Sequence, residues 1–137
     1  MPVRESEREL SNIEFLKVLR DIEVFLVKKQ NEKPKKFRYF FSEHLISHSA
    51  DAYSNAKMAN SIYVTDVDSK KLRKIHLQKA YIEIQSLISQ IDVLYCVYKS
   101  DVLTNAELEN ISKLMYEASK LIKGVINADK KRYKDII

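Results

Sequence analysis

The sequence predicts an all-α fold, an up-down-up-down antiparallel four-helix bundle, and three observations carry that expectation. Its 137 residues hold one glycine and two prolines, too little punctuation for a loop-rich or β-rich chain. Apolar residues recur at helical spacing over four long segments, about 11–30, 35–60, 69–99 and 104–131. Each segment opens on a start signal, and the connections between them are short, which makes successive helices antiparallel neighbours.

Ser11 followed by Glu14 reads as a capping box for the first helix, with Phe15, Leu19, Ile22 and Leu26 on one face. "QNEKP" ends it, and Pro34 suits the start of the second helix. That helix carries Phe37, Phe41, Leu45, His48, Ala52, Ala56 and Ala59 at helical spacing; its small residues invite close approach by a neighbour. In "SIYVTDVD", Ile62, Tyr63 and Val64 look strand-like but have no partner strand, so the segment reads as an extended linker. Thr65 with Asp68, or Asp68 alone, is the expected cap of the third helix. Thr104 with Glu107 is a second capping box, and Leu108, Ile111, Met115, Ala118, Ile122 and Val125 form the stripe of the fourth helix. Gly124 lies inside that helix at a cost of ~1 kcal/mol relative to alanine.

The third helix has two apolar stripes. Leu72, Ala80, Leu87, Ile91, Leu94 and Tyr98 form one; Leu77, Tyr81, Ile84, Ile88 and Tyr95 form the other, turned by roughly 90° at helical period. Two readings follow: the helix is central in the bundle, or the second stripe faces another subunit.

The totals bound the function. The chain reads as one domain over residues 1–137, long enough to bury a core. No stretch approaches the roughly 20 apolar residues that cross a bilayer. The start, "MPVRESEREL", has no apolar h-region, so no secretory signal is expected. Cys96 is the one cysteine, which excludes a disulfide framework and suits a reducing cytoplasm.

Catalytic chemistry is thin. There is no Gly-rich phosphate loop, no GxSxG elbow and no HExxH. His44 and His48 are spaced i, i+4 and could share a metal ion with His76; the plainer reading places His48 at the core with a hydrogen bond and His44 beside it. Cys96 has no activating neighbour in sequence and reads as a packing residue. Glu14, Glu23, Glu107 and Glu109 fit caps and solvated faces, while Glu43, Asp51 and Glu83 form no evident acid/base pair. The expectation is a protein that is not an enzyme and uses no metal or cofactor.

Charge is the informative feature. The net charge is +5, yet residues 28–38, 70–74 and 123–134 together carry +13, leaving −8 for everything else. Helices of about 20 to 31 residues span roughly 30–46 Å, and antiparallel packing puts the start of the third beside the end of the fourth. "SKKLRK" (69–74) and "DKKRYK" (129–134) should therefore be neighbours, with "KPKKFR" (33–38) at the opposite end. Lysines at a helix C-terminus favour the dipole, which covers part of 129–134. Cations in a first turn do not, so a polyanion is the simplest explanation of Lys70, Lys71, Arg73 and Lys74. Phe37, Tyr39, Phe40 and Tyr133 interleave with the basic residues and could stack on unpaired bases or close the bundle ends. An acidic protein partner and a plain solvated surface are the other readings.

"MPVRESERELSNIEFL", "KPKKFRYFF", "KMANSIY", "QKAYIEIQSLISQIDVLY" and "KLIKGVINADKKRYK" together resemble a bacterial four-helix-bundle family. It comprises the accessory variability determinant (Avd) proteins of diversity-generating retroelements and the proteins encoded by intervening sequences in 23S ribosomal RNA genes. The resemblance runs over nearly the whole chain, and the acid-rich start (Glu5, Glu7, Glu9) and the longer tail after Val125 depart from the best-described members. It implies a non-enzymatic bundle that assembles as a ring-like homopentamer and binds a reverse transcriptase and its template RNA, supporting mutagenic cDNA synthesis. The basic surface would comprise Lys70, Lys71, Arg73, Lys74, Lys130, Lys131, Arg132 and Lys134, with Lys35, Lys36 and Arg38 as a second patch. Leu77, Tyr81, Ile84, Ile88 and Tyr95 are the expected subunit contact. The alternatives are a protein of the ribosomal intervening-sequence type and an adaptor docking on an acidic protein.

Overall fold

The structure, a computed structural model, describes residues 5–137, with side chains described from residue 14 onward. Four helices pack against one another, and the described residues contain no strand. α1 is Glu5–Glu32; α2 covers 35–61; α3 is Val67–Tyr98; α4 is Asn105–Arg132. None of these helices is long and apolar enough to cross a membrane.

α1 begins at Glu5, ahead of the expected start at Ser11, whose side chain lies outside the described residues. Its anticipated face is the one that packs: Phe15, Leu19, Ile22 and Leu26 are buried, joined by Val18.

α2 departs most from expectation. It opens as a 3-10 turn at Lys35–Phe37, makes one α-turn at Arg38–Phe40, widens into a π-helix at Phe41–Ile46 and continues as an α-helix over Ser47–Ser61. In the wide turn, the Ser47 N–H donates to the Ser42 carbonyl rather than to that of Glu43. The Ser47 hydroxyl donates to the Glu43 carbonyl instead, at 2.5 Å, so the carbonyl bypassed by the backbone keeps a partner. The extra residue shifts the helical phase. Phe37, Phe41, Leu45, Ser49, Ala52, Ala56 and Ala59 are buried, so Ser49 takes the core position expected for His48. Ser49 is satisfied by donating to the Ile46 carbonyl at 2.9 Å.

Past Ser61 the backbone turns extended at Ile62 and stays non-helical to Asp66, the linker expected. Asp66 then caps α3, correcting the assignment to Thr65 or Asp68. Its carboxylate accepts from the Ser69 N–H at 2.8 Å, and the Ser69 hydroxyl accepts in return from the Asp66 N–H at 3.1 Å. A serine in the third helical position completes the box in place of the Glu or Gln that the usual signature contains. At the other junction, Thr104 and Glu107 form the box the sequence predicts, with bonds of 2.9 and 3.1 Å.

α3 is central. Leu77 and Ile84 of its second stripe are buried beside Ala80, Leu87, Ile91 and Leu94 of its first, and Tyr81 and Ile88 pack against the same core. α2 and α3 make the most extensive helix contact, where Ala52, Ala56 and Ala59 let the backbones approach. Val102 and Leu103 in the α3–α4 connection are fully buried and close one end of the core.

Two substitutions test this packing by chemical denaturation. Ala56→Leu inserts volume at a fully buried contact and is expected to cost about 1–3 kcal/mol. Gly124→Ala adds a methyl where nothing lies within 4 Å and is expected to stabilise, by up to about 1 kcal/mol.

Candidate nucleic-acid interface

The start of α3 and the end of α4 meet through one buried side chain. Arg73, only 6% exposed, donates from Nε to Asp129 Oδ2 at 2.5 Å and from Nη2 to Asp129 Oδ1 at 3.3 Å. Its Nη1 donates to the Ala59 carbonyl at 2.8 Å, in the last turn of α2. One guanidinium thus joins three helix ends, and Arg132 Nη1 approaches the same Asp129 carboxylate at 3.9 Å. "SKKLRK" and "DKKRYK" are neighbours, as expected.

The members of these clusters have different surroundings. Lys71, Lys74, Lys130, Lys131 and Lys134 are exposed. Lys70 is half-buried and donates to the Ile136 carbonyl at 2.8 Å. Arg132 is half-buried, with Cζ 5.7 Å from the centre of the Tyr133 ring. Arg73 differs from the rest: its donors are engaged inside the chain, so an internal carboxylate already explains its position. The capping by Asp66 also places Lys70, Lys71, Arg73 and Lys74 beyond the first turn, where the dipole penalty on cations fades.

A cleft of about 170 Å³ opens at this tip between α3 and α4. Leu77 and Ile126 supply apolar wall, Tyr133 an aromatic ring, and Lys70, Lys74 and Lys130 the cations.

"KPKKFR" lies at the other end. The Phe37 ring meets that of Tyr98, at the end of α3, edge-on with centroids 4.9 Å apart. Lys70 and Tyr98 sit on one continuous helix, about 40 Å apart at 1.5 Å per residue. Lys35, Lys36 and Arg38 are exposed, and Lys36 Nζ lies 5.1 Å from the Phe37 centroid. Lys29 and Lys33 of the same basic stretch are engaged instead, pairing with Glu107 at 2.8 and 2.5 Å. Burial pushes the Glu107 carboxyl up, but hydrogen bonds from Lys29, Lys33 and the Thr104 N–H outweigh it and hold the pKa at about 2. Hydrogen bonds to Glu107 and to Glu32 raise Lys29 above the ordinary lysine value.

The histidines do not converge. His44 packs beside Phe40 and Tyr39, His48 Nδ1 lies 2.6 Å from Glu83, and His76 Nδ1 lies 2.9 Å from the Asn55 side chain. Among the described residues no three His, Cys, Asp or Glu side chains gather to hold a metal ion. Cys96 is exposed rather than packed.

The stripe expected at a subunit contact serves this chain's own core at Leu77 and Ile84, while the half-buried Tyr95 donates its hydroxyl to Asn105 at 2.9 Å. Of the first stripe, Leu72 and Tyr98 are exposed rather than buried, and α3 also leaves Ile75, Ile82, Val93 and Val97 exposed, with Leu72 and these four in one row. Sequence reasoning missed Ile75, Ile82, Val93 and Val97 and gave Leu72 to the core stripe. The members of this row recur at the 3, 7 and 11 residue offsets of one helix face, nearly opposite the core.

The described residues therefore form an all-helical, four-helix protein with lysines clustered where α3 starts and α4 finishes. No family model matches the chain, and no curated protein or solved structure is significantly similar to it.

Two experiments probe these ion pairs. Arg73→Ala leaves the part-buried Asp129 carboxylate without its two hydrogen bonds from the guanidinium; a loss of about 3–5 kcal/mol is expected in denaturant titration, partly recovered by the apolar pair Arg73→Met with Asp129→Leu. Because the folded pKa of Glu107 lies below its unfolded value of 4.5, its stabilisation is full above that value and fades as pH falls toward about 2. Glu107→Gln is expected to flatten the acid limb of stability between those limits.

Proposed function

We propose that this protein is a non-enzymatic RNA-holding scaffold, an antiparallel up-down-up-down bundle that presents a cationic tip to a nucleic-acid backbone. The observation that carries the reading is the convergence of exposed Lys71, Lys74, Lys130, Lys131 and Lys134, with Lys70, at a single end of a chain whose net charge is only +5. Phosphate neutralisation is the interaction that like charges so gathered serve best, because each contact releases condensed counterions. Lys35, Lys36 and Arg38 form a second, distant patch, so one strand following both would run the length of the bundle. Arg73 acts as the positioning residue beneath the tip.

The sequence resemblance narrows the proposal to an Avd-like accessory protein of a diversity-generating retroelement, with a reverse transcriptase as protein partner and its template RNA as ligand. The ribosomal intervening-sequence type shares the same chemistry. We further place self-association, as in a homopentamer, on the exposed row Leu72, Ile75, Ile82, Val93 and Val97, since apolar side chains on the solvent face of a helix favour a covering surface.

Charge reversal at Lys70, Lys71 and Lys74 is expected to weaken RNA binding and to lower the slope of log affinity against log salt, with helicity retained in circular dichroism. Binding that stays unchanged across the salt titration rejects the tip as the site. Retention on an acidic protein surface but not on immobilised RNA at moderate salt replaces the reading with an adaptor. For the exposed row, Ile82→Glu with Val93→Glu is expected to reduce the mass measured by light scattering to that of one chain.

A further inference from the structure

The cleft at the basic tip has a composition that phosphate binding alone does not require. Lysines that only neutralise a backbone need a convex or grooved surface, whereas here three of them rim a concavity with an apolar wall and an aromatic ring. Its volume is about 170 Å³. An apolar cavity of about 150 Å³ is known to admit a benzene-sized ring. Ile126 offers carbon surface on α4 above the buried Leu77 of α3, and Tyr133 stands at the end of α4 with Arg132 over its ring. Asp129 also lines the cleft, but Arg73 already occupies both of its oxygens, so its charge is neutralised where an anion would enter.

We propose that this cleft takes a single unpaired nucleotide of an RNA strand, its base against Ile126 and Tyr133 and its phosphates among Lys70, Lys74 and Lys130. The inference rests on the RNA reading above and adds a requirement to it: the strand must be single where it meets the tip. A paired base is held in its stack and cannot enter a side-chain-lined cleft without paying unstacking energy, while an unpaired one stacks on an aromatic ring irrespective of its identity. Lys70 changes partner in the process, exchanging the Ile136 carbonyl for a phosphate oxygen, a stronger acceptor because it is charged. Preference for single strands with little sequence selectivity follows, since nothing in the lining reads a base edge in a fixed direction.

The test uses the full chain and a short oligoribonucleotide carrying one 2-aminopurine, either alone or annealed to its complement. Fluorescence quenching on binding of the single strand, and tighter binding of that strand than of the duplex, are expected. Tyr133→Ala should weaken single-strand binding by about 5- to 100-fold and leave the salt slope unchanged; Tyr133→Phe should retain it. Ile126→Trp, which fills the cleft from the α4 side, should act like Tyr133→Ala and guards against a folding defect at the helix end. Equal affinity for the two forms, with neither variant altering it, overturns the cleft assignment and leaves phosphate-only binding standing. Competition by a nucleoside monophosphate at the affinity of the strand also overturns it, in favour of a free-nucleotide site. Failure of both RNA forms to bind overturns the RNA reading itself.

Discussion

The pairing of Arg73 with Asp129 is the constraint on which the rest of the arrangement depends. Two charges withdrawn from water are tolerable when hydrogen bonds replace their hydration, and here three guanidinium N–H groups and both carboxylate oxygens are engaged. Both Asp129 oxygens accept from Arg73, and the third guanidinium donor closes the last turn of α2 on the Ala59 carbonyl. The interaction fixes where α2 ends, where α3 starts and where α4 finishes. It also holds together two lysine-rich segments that would otherwise repel each other, because the one internal carboxylate between them offsets charge at their point of closest approach.

The two ends of the bundle treat positive charge differently. At the α4 start, Glu107 caps its own helix through Thr104 and receives Lys29 and Lys33, so the cations there serve the fold. At the α4 end the carboxylate is given to an arginine beneath the surface, and the lysines above it are left to solvent. Both ends look alike as runs of Lys and Arg, and the placement of one acid in each decides which of the cations are engaged within the chain: Lys29 and Lys33 at one end, Arg73 at the other.

That difference marks what was legible in the residues themselves. The number of helices, the Thr104–Glu107 cap, the buried faces of α1 and α4 and the meeting of 69–74 with 129–134 followed from periodicity and chain direction. The Asp66 cap was hidden because Ser69, not Glu or Gln, completes it. The burial of Arg73 was hidden because its acid lies far away in sequence. The second stripe of α3 showed correctly that the helix is apolar over a wide arc, but an arc cannot say which of its neighbours belongs to the same chain. Position supplied the answer: α3 touches both α2 and α4 of its own chain, and Leu77 and Ile84 are buried in the shared core.

The wide turn at Phe41–Ile46 was the least foreseeable element, since no residue in "FSEHLI" announces it. It winds one surplus residue into α2, and so it acts as an angular coupling between the halves of that helix. Upstream of it stand Lys35, Lys36 and Arg38; downstream, the alanine face is locked against α3. Rewinding the same residues at the ordinary helical pitch, with none removed, would swing the upstream cations around the axis by about 100°, the angle one residue subtends at 3.6 per turn. The bearing of the far basic patch relative to the rest of the molecule is thus set by a local irregularity in winding rather than by the patch itself.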